Sequence, residues 1–182
     1  GQGKQKILTI NIPDVYGRYI KITQTGHAEG NFWSVADMRI NGRPRHIDEE
    51  QATLDRENWK LSASQNNEDA SNAIDGDLEK RWGTGRAMKA GDWFAVDMGT
   101  EKTVRKIILN AAKSANDYPR GYEVFISSDG EKWLGPIAKG EGKGRLTTIT
   151  VLPRRGRHVK IVETQDHHHN WWSIYDMNII AE

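Results

Sequence analysis

Thr147-Thr-Ile-Thr-Val151, Leu152, Pro153-Arg-Arg-Gly156, Arg157 and His158-Val-Lys-Ile-Val162 form the stretch whose reading decides the fold class. On both flanks apolar residues alternate with polar ones, so each flank has one face to bury and one to wet, as a half-buried strand does. The Pro-to-Gly break between them predicts a turn joining two strands. The same alternation recurs in Ile7 to Ile12, in Tyr19-Ile-Lys-Ile-Thr23 and in Tyr122-Glu-Val-Phe-Ile-Ser127. Asp75-Gly76, Gly91-Asp92 and Asp129-Gly130 predict further turns. Seven Trp and 18 Gly with five Pro in 182 residues suit short strands joined by turns better than a helical bundle. The expected fold is therefore an all-β sandwich. One segment is ambiguous, because Val104, Ile107, Ile108 and Ala111 also fit the helical i, i+3, i+4, i+7 template. Periodicity leaves both readings open, with its β-branched residues leaning towards a buried strand.

Composition narrows the function classes. Lys+Arg number 26 and Asp+Glu 25, a formal charge of +1 that offers no broad basic field for nucleic acid. No stretch approaches the ~18 consecutive apolar residues of a membrane span, and Gly1 to Lys6 lacks the apolar core of a signal peptide. The absence of Cys removes disulfides, Cys-ligated zinc and thiol chemistry.

Shifting the chain against itself aligns residues 1–43 with 140–182 without a gap. Gly17-Arg18 and Lys21-Ile22 meet Gly156-Arg157 and Lys160-Ile161, and the run Asn31-Phe-Trp-Ser-Val-Ala-Asp-Met-Arg-Ile40 meets Asn170-Trp-Trp-Ser-Ile-Tyr-Asp-Met-Asn-Ile179. Register held across two loops implies duplication. Residues 1–46 read as the C-terminal part of a preceding repeat, 47–53 as a connector and 54–182 as one complete unit. A few strands alone are marginal in water, so another domain or subunit is expected to complete the partial repeat, as in a chain cut from a longer tandem protein.

The complete unit carries Trp59-Lys-Leu-Ser-Ala-Ser64, Asn72-Ala-Ile-Asp-Gly-Asp77, Arg81-Trp82, Trp93-Phe-Ala-Val-Asp-Met-Gly99, Tyr118-Pro-Arg-Gly-Tyr-Glu-Val124, Ser127-Ser-Asp-Gly130 with Trp133, and Trp171-Trp-Ser-Ile174. In these ordered motifs it resembles the discoidin, or coagulation-factor type C, family. The resemblance implies a galactose-binding-like jelly-roll of about eight antiparallel strands, and makes residues 103–110 a strand. It implies a non-catalytic carbohydrate-binding or adhesion module of a larger secreted bacterial protein, extracellular or at the cell surface. Trp59, Trp82, Trp93 and Trp133 would pack the sandwich or seal its ends.

The resemblance also implies a structural calcium held by Asn72, Asp75, Asp77 and Thr84 of one loop and by Asp176 near the last strand. Here Lys80 stands where the family commonly has Thr, and Asp176 where it commonly has Glu. An Asp-Gly turn capped by its own side chain is the alternative. Sugar contacts are expected at Asn116, Asp117, Arg120, His168 and Trp171, in two loops rich in amide, guanidinium, imidazole and aromatic groups. Asp117 and Arg120 would otherwise tie their own loop together. The earlier copy has Ala28, Glu29 and Gly30 in place of His167, His168 and His169, so the fold does not require that run. Adjacent histidines on an extended segment point to opposite sides and do not readily form one metal site. No nucleophile elbow, phosphate loop or paired acid and base marks an enzyme. Arg145, Arg154, Arg155, Arg157 and Lys160 form a local basic cluster. The second function considered is a structural module that joins neighbouring domains or subunits and binds no sugar.

Overall fold

The computed structural model describes residues 56–182 continuously and positions 10, 21–23, 25, 26, 29, 30, 35 and 38 before them. The chain divides into two compact units, Gly1–Arg43 and Pro44–Glu182. Apart from those positions, the partial repeat read over residues 1–46 and the connector at 47–53 lie outside the described residues.

The second unit is built from β1 (Lys60–Ala63), a 3-10 helix (Asn67–Ala73), β2 (Trp82–Gly83), β3 (Trp93–Asn110), β4 (Tyr122–Ser127), β5 (Leu134–Gly140), β6 (Leu146–Glu163), β7 (Ser173–Ile174) and β8 (Asp176–Ala181). Every strand pairing among its described residues is antiparallel. The two long strands build both layers of a jelly-roll sandwich. The first part of β3 lies between β1 and the last part of β6, which continues to β4 and β5. The second part of β3 lies between β8 and the first part of β6. Between the layers, Phe94, Val96, Val124, Ile126, Val159 and Ile161 meet Ile107, Leu109, Ile149, Val151, Met177 and Ile179 in one apolar cluster. Burying each such side chain contributes about 1.5–3 kcal/mol.

The Pro153 to Gly156 turn is not formed. β6 runs through it, and Arg154, Arg155 and Gly156 pair with Val104, Thr103 and Lys102. Pairing then resumes at Thr150 with Lys106, so Leu152 and Pro153 occupy a bulge. A bulge accepts a proline because no ladder hydrogen bond is asked of it. On β3 the matching bend falls where register shifts between Asp97 and Lys102, at Gly99 with φ +76°. The Asp97 carboxylate accepts from both Arg157 Nε and Nη2 at 2.6 Å and from Gly99 N at 2.8 Å. The Arg157 hydrogen bond, ahead of the Gly99 amide, brings the Asp97 carboxyl down to about 2.

The ambiguous segment is strand. Against β8, the register shift between Val104 and Lys106 gives β3 an extra residue, so the inward positions are Val104, Ile107, Leu109 and Ala111. That bulge produced the three-residue step that imitates a helix. Asp75-Gly76, Gly91-Asp92 and Asp129-Gly130 do form turns, with Gly76, Gly91 and Gly130 at positive φ. No helix among the described residues is long and apolar enough to cross a membrane.

Trp59 and Trp82 belong to the core, and so does Trp172. Trp93 and Trp133 do not, being only half-buried. They flank Lys160, whose Nζ stands 5.4 Å from the Trp93 ring centroid and 4.0 Å from that of Trp133. Both aromatics therefore lie on the outer face of β3 and β6, where a long amine stem covers them.

Candidate functional site

Three loops converge beside the short β2–β7 pair: residues 84–92, 111–121 and 164–172. Backbone bonds stitch them together, with Thr84 N donating to Trp172 O (2.9 Å), Met88 N to Asn170 O (3.0 Å), His167 N to Met88 O (3.0 Å) and Ser173 N to Asp117 O (2.9 Å). The second and third loops are joined by Thr164 N donating to Gly121 O (3.0 Å) and through the Asn116 carbonyl. That carbonyl accepts from Asn170 Nδ2 and from Arg120 Nη2, each at 2.8 Å.

That junction joins Asn116, Arg120 and Asn170, with Trp171 next along the chain and His168 exposed on the same loop. The Asn116 side chain is exposed and Trp171 is half-buried. The Arg120 guanidinium lies flat over Tyr118, 3.8 Å from its centroid, and its buried Nε has no acceptor among the described residues. Asp117 is used differently. Its carboxylate accepts from Ser173 Oγ at 3.1 Å and stands 3.7 Å from Arg81 Nη1, which ties the loop to β7 rather than presenting it outward.

Two residues outside the sequence candidates hold this end in place. Arg81 donates to Ser114 Oγ and Tyr175 Oη, and its guanidinium lies 5.3 Å from the Trp171 centroid. Its partners are distant in sequence, so no local signal points to it. Glu163 is 1% exposed. Its Oε1 accepts from Gly121 N (2.8 Å), Gln165 N (3.1 Å) and Thr164 N (3.2 Å), and its Oε2 from Arg120 N (3.0 Å). Burial raises the Glu163 carboxyl above the ordinary range, against the pull of those four amides. Here a signal was present: Val159, Ile161 and Glu163 are in phase on the inward face of β6, and an acid in that phase needs donors. Gly121 is required beside it, since a Cβ there would stand 2.3 Å from Thr164 Oγ1.

His167 Nδ1 accepts from Asn170 N at 2.9 Å and His169 N at 3.2 Å, which requires a neutral ring. Burial, then Arg120 and the neighbouring histidines, lower its pKa accordingly. The buried Asp92 takes both Arg86 nitrogens at 2.6 and 3.0 Å and closes the first loop. Much of the basic cluster is compensated, Arg157 by Asp97 and Arg155 by Glu101 at 3.0 Å.

The side chains named for calcium each carry a hydrogen bond or an ion pair within the chain. Asn72 Nδ2 donates to Arg81 O at 3.1 Å, and Thr84 Oγ1 donates to Arg86 O at 2.6 Å. Asp75 and Asp77 share a turn with Lys80, and Asp176 is paired with Arg56 at 2.5 Å. Among the described residues no three His, Asp or Glu side chains gather around a point. An ion that wants six to eight oxygens would meet a resident cation at each of these carboxylates.

Comparison with known proteins adds the relatives. Residues 51–177 match the model of the F5/8 type C domain. Galactose oxidase of Gibberella zeae is 27% identical over 139 residues, covering 70% of this chain and 20% of the oxidase. The polysaccharide lyase 8 family protein HylA of Enterococcus faecalis is 26% identical over 128 residues, covering 69% of this chain and 9% of the lyase. The chain thus spans a fifth or less of the length of these relatives, both of them named as enzymes. Among solved structures, the family 32 carbohydrate-binding module of Clostridium perfringens NanJ, in complex with galactose, superposes with a TM-score of 0.58 at 22% identity, covering 70% of this chain and 97% of that one. A second Clostridium perfringens module, in complex with GalNAc-beta-1,3-galactose, gives 0.60 at 22% identity, covering 71% and 99%. These likenesses show the fold.

Proposed function

The chain belongs to the F5/8 type C domain family, and on that premise we propose that it is a non-catalytic carbohydrate-binding module that tethers a larger extracellular protein to glycan. The observation that supports this best is the Asn116 junction, where two loops are joined beside an exposed amide and a guanidinium held over Tyr118, with the half-buried Trp171 one residue from the joining Asn170. A pyranose can lay its apolar face on Trp171 while Asn116, Arg120 and His168 meet its hydroxyls. Sites of this kind are built on loops because adjacent strand residues face opposite ways. The neighbouring modules solved with galactose and with a galactose-containing disaccharide favour the same ligand class. Asp117 serves in this reading as a support and not as a sugar contact. Residues 1–46, as the end of a sister copy, would belong to a tandem array, in which a second module raises avidity.

A glycan array tests the reading. The unmodified chain is expected to retain neutral, galactose-terminated glycans, and Trp171→Ala or Arg120→Ala to lose at least about tenfold in affinity, with the fold intact by circular dichroism. Binding should change little between low and moderate salt, because a neutral sugar is not held by long-range charge. Retention of acidic glycans alone, lost as salt rises, would instead point to the basic cluster around Arg145 and Arg154. An array with no retained glycan would leave the module that joins neighbouring domains or subunits.

A further inference from the structure

We infer that this domain carries its own cations where a divalent ion would be expected, Lys80 serving the Asp75–Asp77 turn and Arg56 serving Asp176. The inference concerns the fold and stands whether or not the chain binds sugar.

Every oxygen of the three carboxylates faces a hydrogen-bond donor or a cation. Asp75 Oδ1 accepts from Asp77 N at 2.8 Å and Asp77 Oδ1 from Glu79 N at 2.9 Å, so the turn is closed by its own side chains. The outer oxygens, Asp75 Oδ2 and Asp77 Oδ2, stand 3.8 and 3.3 Å from Lys80 Nζ. On β8, Asp176 Oδ1 receives Arg56 Nη1 at 2.5 Å and Oδ2 receives Asn178 Nδ2 at 2.8 Å. The same Arg56 nitrogen donates to Met177 O at 3.0 Å, which fixes the guanidinium against the strand. A calcium ion on the turn would have to displace the Lys80 ammonium, and one on β8 the Arg56 guanidinium. A resident cation and a divalent ion repel each other on the same carboxylate.

The two cations differ in strength. Lys80 is 60% exposed, and an ammonium there acts as a screened counter-charge. Arg56 and Asp176 are 26% and 22% exposed and hydrogen-bonded on both sides, so that pair holds β8 more firmly.

Thermal melts of the whole chain in calcium, in magnesium and in chelator provide the test. The unmodified chain is expected to melt at one midpoint in all three, within about 1 °C. A saturable rise with calcium alone would overturn the inference, because a ligand that binds the folded state must raise the midpoint. Lys80→Thr, at an exposed position that the fold tolerates, removes the ammonium and supplies a hard oxygen. Its midpoint is expected to rise by several degrees with calcium. If that variant were as indifferent as the parent, Lys80 would not be the group that stands in for the ion. Arg56→Ala is expected to lower the midpoint in chelator and to regain part of that loss in calcium, whereas a loss that calcium leaves untouched would count against Arg56 as the stand-in.

Discussion

Trp82→Ala is expected to destabilise the domain by about 3–5 kcal/mol, a large part of the roughly 5–15 kcal/mol that holds an ordinary domain folded. The indole is fully buried, with ring centroids 4.7 Å from Phe94 and 5.2 Å from Trp172, the latter edge-on at 87°. Its Nε1 also donates to Gln65 O at 2.8 Å. Alanine would open a cavity between two aromatics and strip a carbonyl of its donor. Trp82→Phe keeps most of the packing and loses the donor, so about 1–2 kcal/mol is expected. Urea denaturation followed by circular dichroism separates the two. Equal costs would mean that the hydrogen bond, not the ring, supports this site.

Glu163→Ala is expected to cost about 2–4 kcal/mol, since it leaves the amides of Arg120, Gly121, Thr164 and Gln165 without their acceptor. Glu163→Gln keeps one acceptor oxygen and turns a donor towards the remaining amide, at about 1–2 kcal/mol. The aligned position of the earlier copy is Gln24. Amide exchange should quicken at those four residues before the core opens. The pH dependence has a definite sign. Burial holds the folded carboxyl above its ordinary value, so the folded chain binds its proton more tightly than the unfolded chain. Stability from this group is full below the unfolded value of about 4.3 and is lost as pH rises through the folded one. The wild-type advantage over Glu163→Gln should therefore be widest in acid and shrink by up to about 1.4 kcal/mol per pH unit across that window. An advantage that grew with pH would show the amides outweighing burial.

Sequence and structure agree where the deciding forces are local. Tyr122 to Ser127 is a strand because its period of two matches one buried and one wet face, and Asp129-Gly130 turns because glycine accepts φ +80°. They part company at bulges. Pro153-Arg-Arg-Gly156 has the composition of a turn, yet the chain crosses there from one layer to the other as continuous strand. Trp93 and Trp133 carry the size of core residues and sit outside it, because the face that buries them is chosen by Lys160 and by strand phase.

The candidate site shows the same division. Asn116, Arg120 and Trp171 could be picked out because polar and aromatic groups crowd two loops. The alternative that Asp117 and Arg120 tie their own loop was legible too, and Arg120 does bond Asn116 O, but the Asp117 partners Ser173 and Arg81 were not, being far away along the chain.

Alternation, turn chemistry and ordered motifs in the sequence thus determined an antiparallel sandwich of this family, because each depends on contacts between near neighbours or on the chemistry of single residues. Which acids were left free, which cation each one met and which loops shared an acceptor were decided only by tertiary structure. Those pairings join residues such as Arg56 and Asp176, or Arg120 and Glu163, whose approach depends on the closure of the whole sandwich.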